Sequence, residues 1–282
     1  MLHLFKKIAT VQIKNIGVLR GKVLVFGGVY SNLQALEKMM AIANDLGIAP
    51  GNIICTGDIV GYCAEPEAVV QKIKAWGIHC IAGNVELQLR DGEEDCGCDF
   101  NEDSRCDIFS RQWYPFAQSV LSADAIQWMH QLPHHLEFQY AGLKGRVVHG
   151  STTEVSGYIF ASTPWAEKAK HLNLADADFI FGGHCGLPFS EKNEDKYWLN
   201  PGVIGMPAND GTTRVWYMLL DDANGFNFEH HSFEYDHATA AAQMRAHKLP
   251  AAYALTLETG LWDNCEILPD EETAIQGQRI SF

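Results

Sequence analysis

The chain is short of positive charge. Against 35 Asp and Glu it carries only 21 Lys and Arg, a formal net charge of −14 at pH 7 over 282 residues. Binding nucleic acid by neutralising phosphates needs clustered cations, so no nucleic-acid partner is expected on electrostatic grounds. Long apolar runs are missing as well, none approaching the roughly 18–20 residues that cross a bilayer. The opening "MLHLFKKIATVQIKNIG" has neither the apolar stretch nor the small-residue cleavage site of a secretion signal. Those absences predict no membrane and a cytoplasmic location. Eight cysteines without a signal then read as reduced thiols or ligands, not a disulfide framework. Internal repeats and low-complexity linkers are also lacking, which predicts a single domain over 1–282 with its core at about 22–260.

One more absence is local. The stretch "FGGVYSNLQALE", residues 26–37, has the form of a strand end turning into a helix, where α/β proteins place their sites. Yet between Lys22 and Asn32 nothing can serve as an acid, a base or a strong metal ligand.

What is present is a rhythm of short apolar runs, each closing on Gly, Asp, Asn or His: "KVLVFGG", "NIICTGD", "HCIAGN", "GRVVHGS", "DFIFGGH" and "YWLNPGVIG". Helical patterns at Leu33–Leu46 and Pro66–Trp76 separate the first three. Strands alternating with helices of that length indicate βαβ units in an α/β fold. Ser122 reads as a helix start. Two further strands, "TRVWYMLL" and "FNFEHHSFEY", are joined by a turn at 221–225, and a helix follows over Asp236–His247. The acidic, Cys-bearing stretch at about 90–110 breaks the rhythm and predicts a peripheral insertion. Residues 261–282 read as a weakly ordered tail, and His134-His135 and His230-His231 as solvated pairs.

Taken in order, "GDIVGY", "AGNVE", "VVHGS", "GGHCGLPF" and "LNPGVIG" resemble the motif series of calcineurin-like metallophosphoesterases over about residues 22–260. The family's blocks read D-x-H-G-N, G-D-x-V-G, G-N-H-[DE], V-H-G and G-H-T-H. The resemblance implies a two-sheet αββα sandwich and a metal centre at the strand ends. Carried over position by position, it implies that Asp58, Asn84, His149 and His184 hold one ion, with Asp58, Asn84 and His149 in the catalytic centre. The positions that would serve a second ion are Gly28, Tyr30 and Gly186, and the position of the family's histidine acid is Val85. The departures fall on one ion's private ligands and spare the other's set. One divalent transition metal, Zn, Fe or Mn, is therefore expected, since carboxylate, amide oxygen and imidazole suit these ions.

Each position also has an ordinary reading. Asp58 is a natural helix cap, and a lone histidine after an apolar run is commonly a satisfied core residue. Tyr30 either fills the vacated volume or, with Asn32, contacts substrate phosphate. Cys185 is a replacement ligand or an inert thiol. Cys96, Cys98 and Cys106, spaced C-x-C-x7-C, form a second metal or thiol cluster or stay plain reduced cysteines. The expected activity is hydrolysis of a phosphomonoester or phosphodiester at an altered, mononuclear centre. The competing reading is a non-catalytic relative that binds a phosphorylated ligand.

Overall fold

After β1 (Ile13–Val18) the chain forms β2 (Val23–Phe26), whose four side chains are all buried. Successive side chains on a strand point to opposite faces, so Val23 and Val25 enter one apolar cluster while Leu24 and Phe26 enter another. A strand apolar on both faces must be covered on both. That requirement layers the whole molecule, seen in a computed structural model that describes residues 11–98 and 102–282.

β2 lies in a five-stranded sheet with β3 (Ile53–Cys55), β4 (His79–Cys80), β10 (Val215–Asp221) and β11 (Asn227–Phe233), in the order β11-β10-β2-β3-β4. The second sheet has six strands in the order β1-β5-β6-β7-β9-β8. Its members besides β1 are β5 (His135–Tyr140), β6 (Leu143–Val147), β7 (Phe179–Phe181), β8 (Phe189–Asn193) and β9 (Lys196–Asn200). Val23, Val25, Ile54 and Met218 from one sheet meet Leu136, Phe138, Phe179 and Phe181 from the other in the inter-sheet core.

Helices cover the outer faces. α1 (Leu33–Asp45), α2 (Pro66–Trp76) and α7 (His237–Ala246) pack on the five-stranded sheet, where Leu36, Val70 and Met244 join Leu24 and Phe26. α6 (Trp165–Leu174) covers the other sheet through Leu172 against Ile180 and Trp198. The result is the αββα sandwich that the motif series implies. α2 begins on Pro66 and ends at left-handed Gly77, the expected punctuation for a helix. Strands β2, β3 and β4 run parallel, as do β6, β7 and β9, so each set ends at a common edge.

Three expectations need correction. The described residues of the 90–110 stretch stay out of the sheets and many are exposed, as a peripheral insertion would be, but its cysteines are not on the surface. After α3 (Asn84–Asp91) the chain turns inward and buries Cys96 and Cys98, each 3% exposed, before Ser104 caps α4 (Arg105–Val120). The rest of that stretch, 99–101, lies outside the described residues. The segment 261–282 is not a loose tail: Trp262 Nε1 donates to the Pro207 carbonyl, and buried Glu272 accepts from Ser162. Phe282 stacks on His230 at 3.8 Å. His135, finally, is buried at the start of β5.

Candidate metal centre

Asp58 sits in the turn after β3 with a backbone φ of +52°, a left-handed conformation that costs a non-glycine residue free energy and persists only where neighbours enforce it. Glu86 is the enforcer. Its buried carboxylate accepts from the backbone N–H groups of Asp58 (2.9 Å), Val60 (3.0 Å) and Gly83 (2.9 Å), tying the turn to the first turn of α3. Gly83 has no room for a side chain, because a Cβ there would lie 2.0 Å from Asp58 Oδ1. Asn84 opens α3 at this point, while His149 and His184 follow the ends of β6 and β7.

Four donor atoms converge. His149 Nε2 lies 3.2 Å from Asp58 Oδ2, 3.1 Å from Asn84 Oδ1 and 3.1 Å from His184 Nδ1. Ligands about 2.0–2.2 Å from a Zn-like ion sit roughly 3.0–3.5 Å from one another, which is the spacing found between His149 Nε2 and each of the other three, while Asp58, His149 and His184 all lie within 4.8 Å of one another. The backbone and the acidic loop aim these atoms. His149 Nδ1 donates to the Thr56 carbonyl at 2.8 Å, so Nε2 points inward as the free nitrogen. The Asn84 amide donates to the Cys96 carbonyl (2.9 Å) and Cys98 Sγ (3.2 Å), which turns its oxygen inward. A proton on Nε2 would satisfy one of three facing atoms; a cation satisfies all of them. Among the described residues, Asp58, His149 and His184 form the one set of three His, Cys, Asp or Glu ligand atoms near enough to share an ion, all within 4.8 Å.

The titration pattern fits a compact electrostatic cluster. Burial works to raise the Asp58 carboxyl, but His149 and then His184 outweigh it and hold it below its ordinary value. Burial likewise works against a charged His149, and the Asp58 carboxylate reverses that. His184 is pushed down to about 3 by burial and by His149. Burial and the neighbouring Asp58 charge lift Glu86 to about 7.

The region of the other three positions is filled. Tyr30, also left-handed at φ +51°, lays its ring where a Gly28 side chain would project, and a Cβ on Gly28 would meet ring carbons at 2.5 Å. Its hydroxyl lies 3.7 Å from the point where a Gly186 Cβ would stand. Val85 is 2% exposed within the apolar core and carries no proton to give. Asn32 is not placed to bind substrate. Its Oδ1 caps α1 through Ala35 N, and its Nδ2 donates to the Gly205 carbonyl and Tyr235 Oη. The three cysteines do not converge as a set: the Cys96 and Cys98 thiols pair at 2.7 Å and their loop backs Asn84, while Cys106 faces Asn264. Cys185 is a buried thiol bonded by the Asn200 amide, outside the ligand set.

A cleft of about 710 Å³, its mouth included, opens onto Asp58 and His184, and its walls include Tyr30, Tyr62, Tyr158, Tyr253 and Trp262. Sequence reasoning singled out Tyr30 but passed over Tyr158, Tyr253 and Trp262, which stand in no motif, and over Tyr62 and Glu86, which stand within motifs it quoted. For Glu86 there was a signal, since Gly83 followed three residues later by Glu at a helix start is half of a capping box.

Comparison with known proteins agrees with this geometry. Residues 22–224 match the model of the calcineurin-like phosphoesterase superfamily domain. An uncharacterized protein of Methanocaldococcus jannaschii is 26% identical over 250 residues, covering 83% of this chain and 96% of that one. In fold, the chain is similar to a metallophosphoesterase from Sphaerobacter thermophilus (TM-score 0.67, 24% identity, 86% of this chain and 100% of that one). It is also similar to a hypothetical protein from Pyrococcus horikoshii (TM-score 0.72, 19% identity, 86% and 99%). With about two hundred residues, well over half of the chain, matching the family model, the chain belongs to the calcineurin-like phosphoesterase superfamily.

Proposed function

We propose that the protein is a metal-dependent phosphoesterase working with a single divalent transition ion held by Asp58, Asn84, His149 and His184. The observation that carries this reading is the set of four inward-aimed donor atoms, three of them 3.1–3.2 Å from the fourth. An ion there supplies polarisation of a phosphoryl oxygen and acidification of water. The chain's own residues hold the geometry: Glu86 fixes the Asp58 turn, Thr56 fixes His149, and the Cys96–Cys98 loop fixes Asn84. Tyr30 occupies the space that a second ion's ligands would need. With Val85 in place of an acid, the leaving group receives no proton from that position, and losing general acid catalysis commonly costs about 10²-fold or more.

Val85 and Tyr30 also favour a second reading, a non-catalytic protein that retains one ion to bind a phosphorylated ligand. Elemental analysis of protein loaded with Mn or Zn, with hydrolysis of bis-p-nitrophenyl phosphate and p-nitrophenyl phosphate, separates the two. One ion per chain with slow turnover abolished by Asp58→Asn supports the phosphoesterase. One ion without turnover supports the binding protein, and no ion defeats both.

A further inference from the structure

Among the described residues, the cleft above the metal cluster has no cation of its own. None of the residues lining it is Lys or Arg. The nearby Arg105 is spent on Asp263, donating through Nε to Oδ2 (2.5 Å) and through Nη2 to Oδ1 (2.7 Å). On the reading that one divalent ion sits on Asp58, Asn84, His149 and His184, two positive charges meet the Asp58 carboxylate. The surplus is therefore at most one positive charge, and Glu86 behind Asp58 can only reduce it.

The walls are aromatic. Tyr158 lies 4.4 Å from His184 between ring centroids, and Tyr62 stands edge-on to Tyr30 (4.7 Å) and to Tyr253 (4.8 Å). Burial holds the phenols of Tyr30, Tyr62, Tyr158 and Tyr253 neutral, since each is raised well above its ordinary value. Tyr253, on α8 (Ala251–Thr259), and Trp262 both lie beyond residues 22–224 that match the family model. The ligand cluster thus comes from the part of the chain that matches the family model, and about a third of the residues lining the cleft come from the part beyond it.

From charge and lining together we infer that the ligand of this cleft is a phosphodiester monoanion bearing an aromatic arm, with Tyr253 and Trp262 as its specificity-determining contacts. A single negative charge balances the surplus. A phosphomonoester dianion or a polyphosphate would carry uncompensated charge into a desolvated, aromatic site, which is costly. Stacking on neutral rings rewards an aromatic arm and tolerates variation in its identity.

Equilibrium binding by calorimetry on the full chain tests this, in metal-loaded and metal-free protein. The probes are diphenyl phosphate, diethyl phosphate, phenyl phosphate and pyrophosphate. Diphenyl phosphate is expected to bind at least about tenfold tighter than the other three, the scale of one good stacking contact. Trp262→Ala should bring it to the level of diethyl phosphate with metal content unchanged, and Trp262→Phe, which also lacks the bond to Pro207, should retain most of the preference. Tyr253→Leu is the second variant, expected to cut the same preference, so that an unfolded Trp262 variant leaves the question answerable. Equal or tighter binding of phenyl phosphate or pyrophosphate overturns the inference, as does an unchanged preference in both folded variants. Metal content reads the phosphoesterase proposal separately: a chain that takes no ion defeats that proposal and this inference with it, while a loaded chain with the wrong ranking of probes defeats this inference alone.

Discussion

Tyr30 is wedged among three glycines. A Cβ added at Gly28 would lie 2.5 Å from its ring, one at Gly61 2.9 Å from it, and one at Gly205 2.7 Å from its Cβ. None of the three has a positive φ, so they are glycines for room and not for backbone conformation. Gly28→Ala should therefore destabilise the protein by about 1–3 kcal/mol, the usual cost of overpacking, and should be nearly neutral when Tyr30→Ala has already emptied the slot. Urea unfolding of the four species of that cycle checks it; an equal cost in both backgrounds would mean the two residues are not coupled. Around the metal cluster the weak-looking partners matter too. Asn84→Ala should lower metal affinity by more than about 100-fold, and Cys98→Ala by roughly tenfold, because losing an outer partner of a ligand typically costs 10–100-fold. Competition against a chromophoric chelator measures both, and an unaltered Asn84→Ala would remove Asn84 from the ligand set.

At the scale of elements, the end of the C-terminal segment is stitched down by the Asp210 carboxylate, in addition to the Glu272 and Trp262 bonds. Asp210 accepts from Thr212, from Arg214 Nη2 (2.8 Å) and from Ile280 N (3.1 Å), and Arg214 also reaches the Ile280 carbonyl. Burial would raise this carboxyl, but the bonds from Thr212, Arg214 and Ile280 prevail and lower it. A group depressed on folding stabilises above its unfolded value, about 3.9 for Asp, and that contribution is lost as pH falls through the lower folded value. Asp210→Asn should accordingly cost on the order of 1–3 kcal/mol at pH 7, and the gap to wild type should narrow as pH falls below the ordinary carboxylate range and through the lower folded value. Thermal melting across pH reads it, and a gap independent of pH would mean the charge is irrelevant. The same segment marks where sequence reasoning ran out. Strands such as "KVLVFGG" and "DFIFGGH" were legible because a strand buried on both faces must be apolar throughout. The helices α1, α2 and α7 announced themselves by periodicity and caps. Residues 261–282 have neither property, since their order comes from partners as distant as Ser162 and Pro207. Cys96 and Cys98 were legible as cysteines but not as the backing of Asn84, because that contact crosses a loop with no pattern of its own.

For the molecule as a whole, the open quantity is how many ions one chain takes, and the packing sets a definite expectation. The spared ligands are drawn from both sheets, Asp58 and Asn84 beside β3 and β4, His149 and His184 after β6 and β7. One ion would thus bridge the two halves of the sandwich, and loading it should raise the melting temperature by mass action, more as its free concentration rises. A second ion faces two separate obstacles. The ring of Tyr30 fills the slot, and Gly186 has φ +72°, where any other residue pays roughly 1–2 kcal/mol. Removing the first obstacle alone, with Gly28→Asp and Tyr30→His together, should leave one tight ion per chain. Adding Gly186→His should give at most a weak second one, with a lowered melting temperature, because a Cβ there meets only ordinary contacts and the backbone alone resists. Elemental analysis after gel filtration, beside a titration followed by calorimetry, counts the ions in each variant. Two tightly bound ions in the unmodified chain would mean that the Tyr30 ring vacates its slot, and the single-ion centre would have to be abandoned.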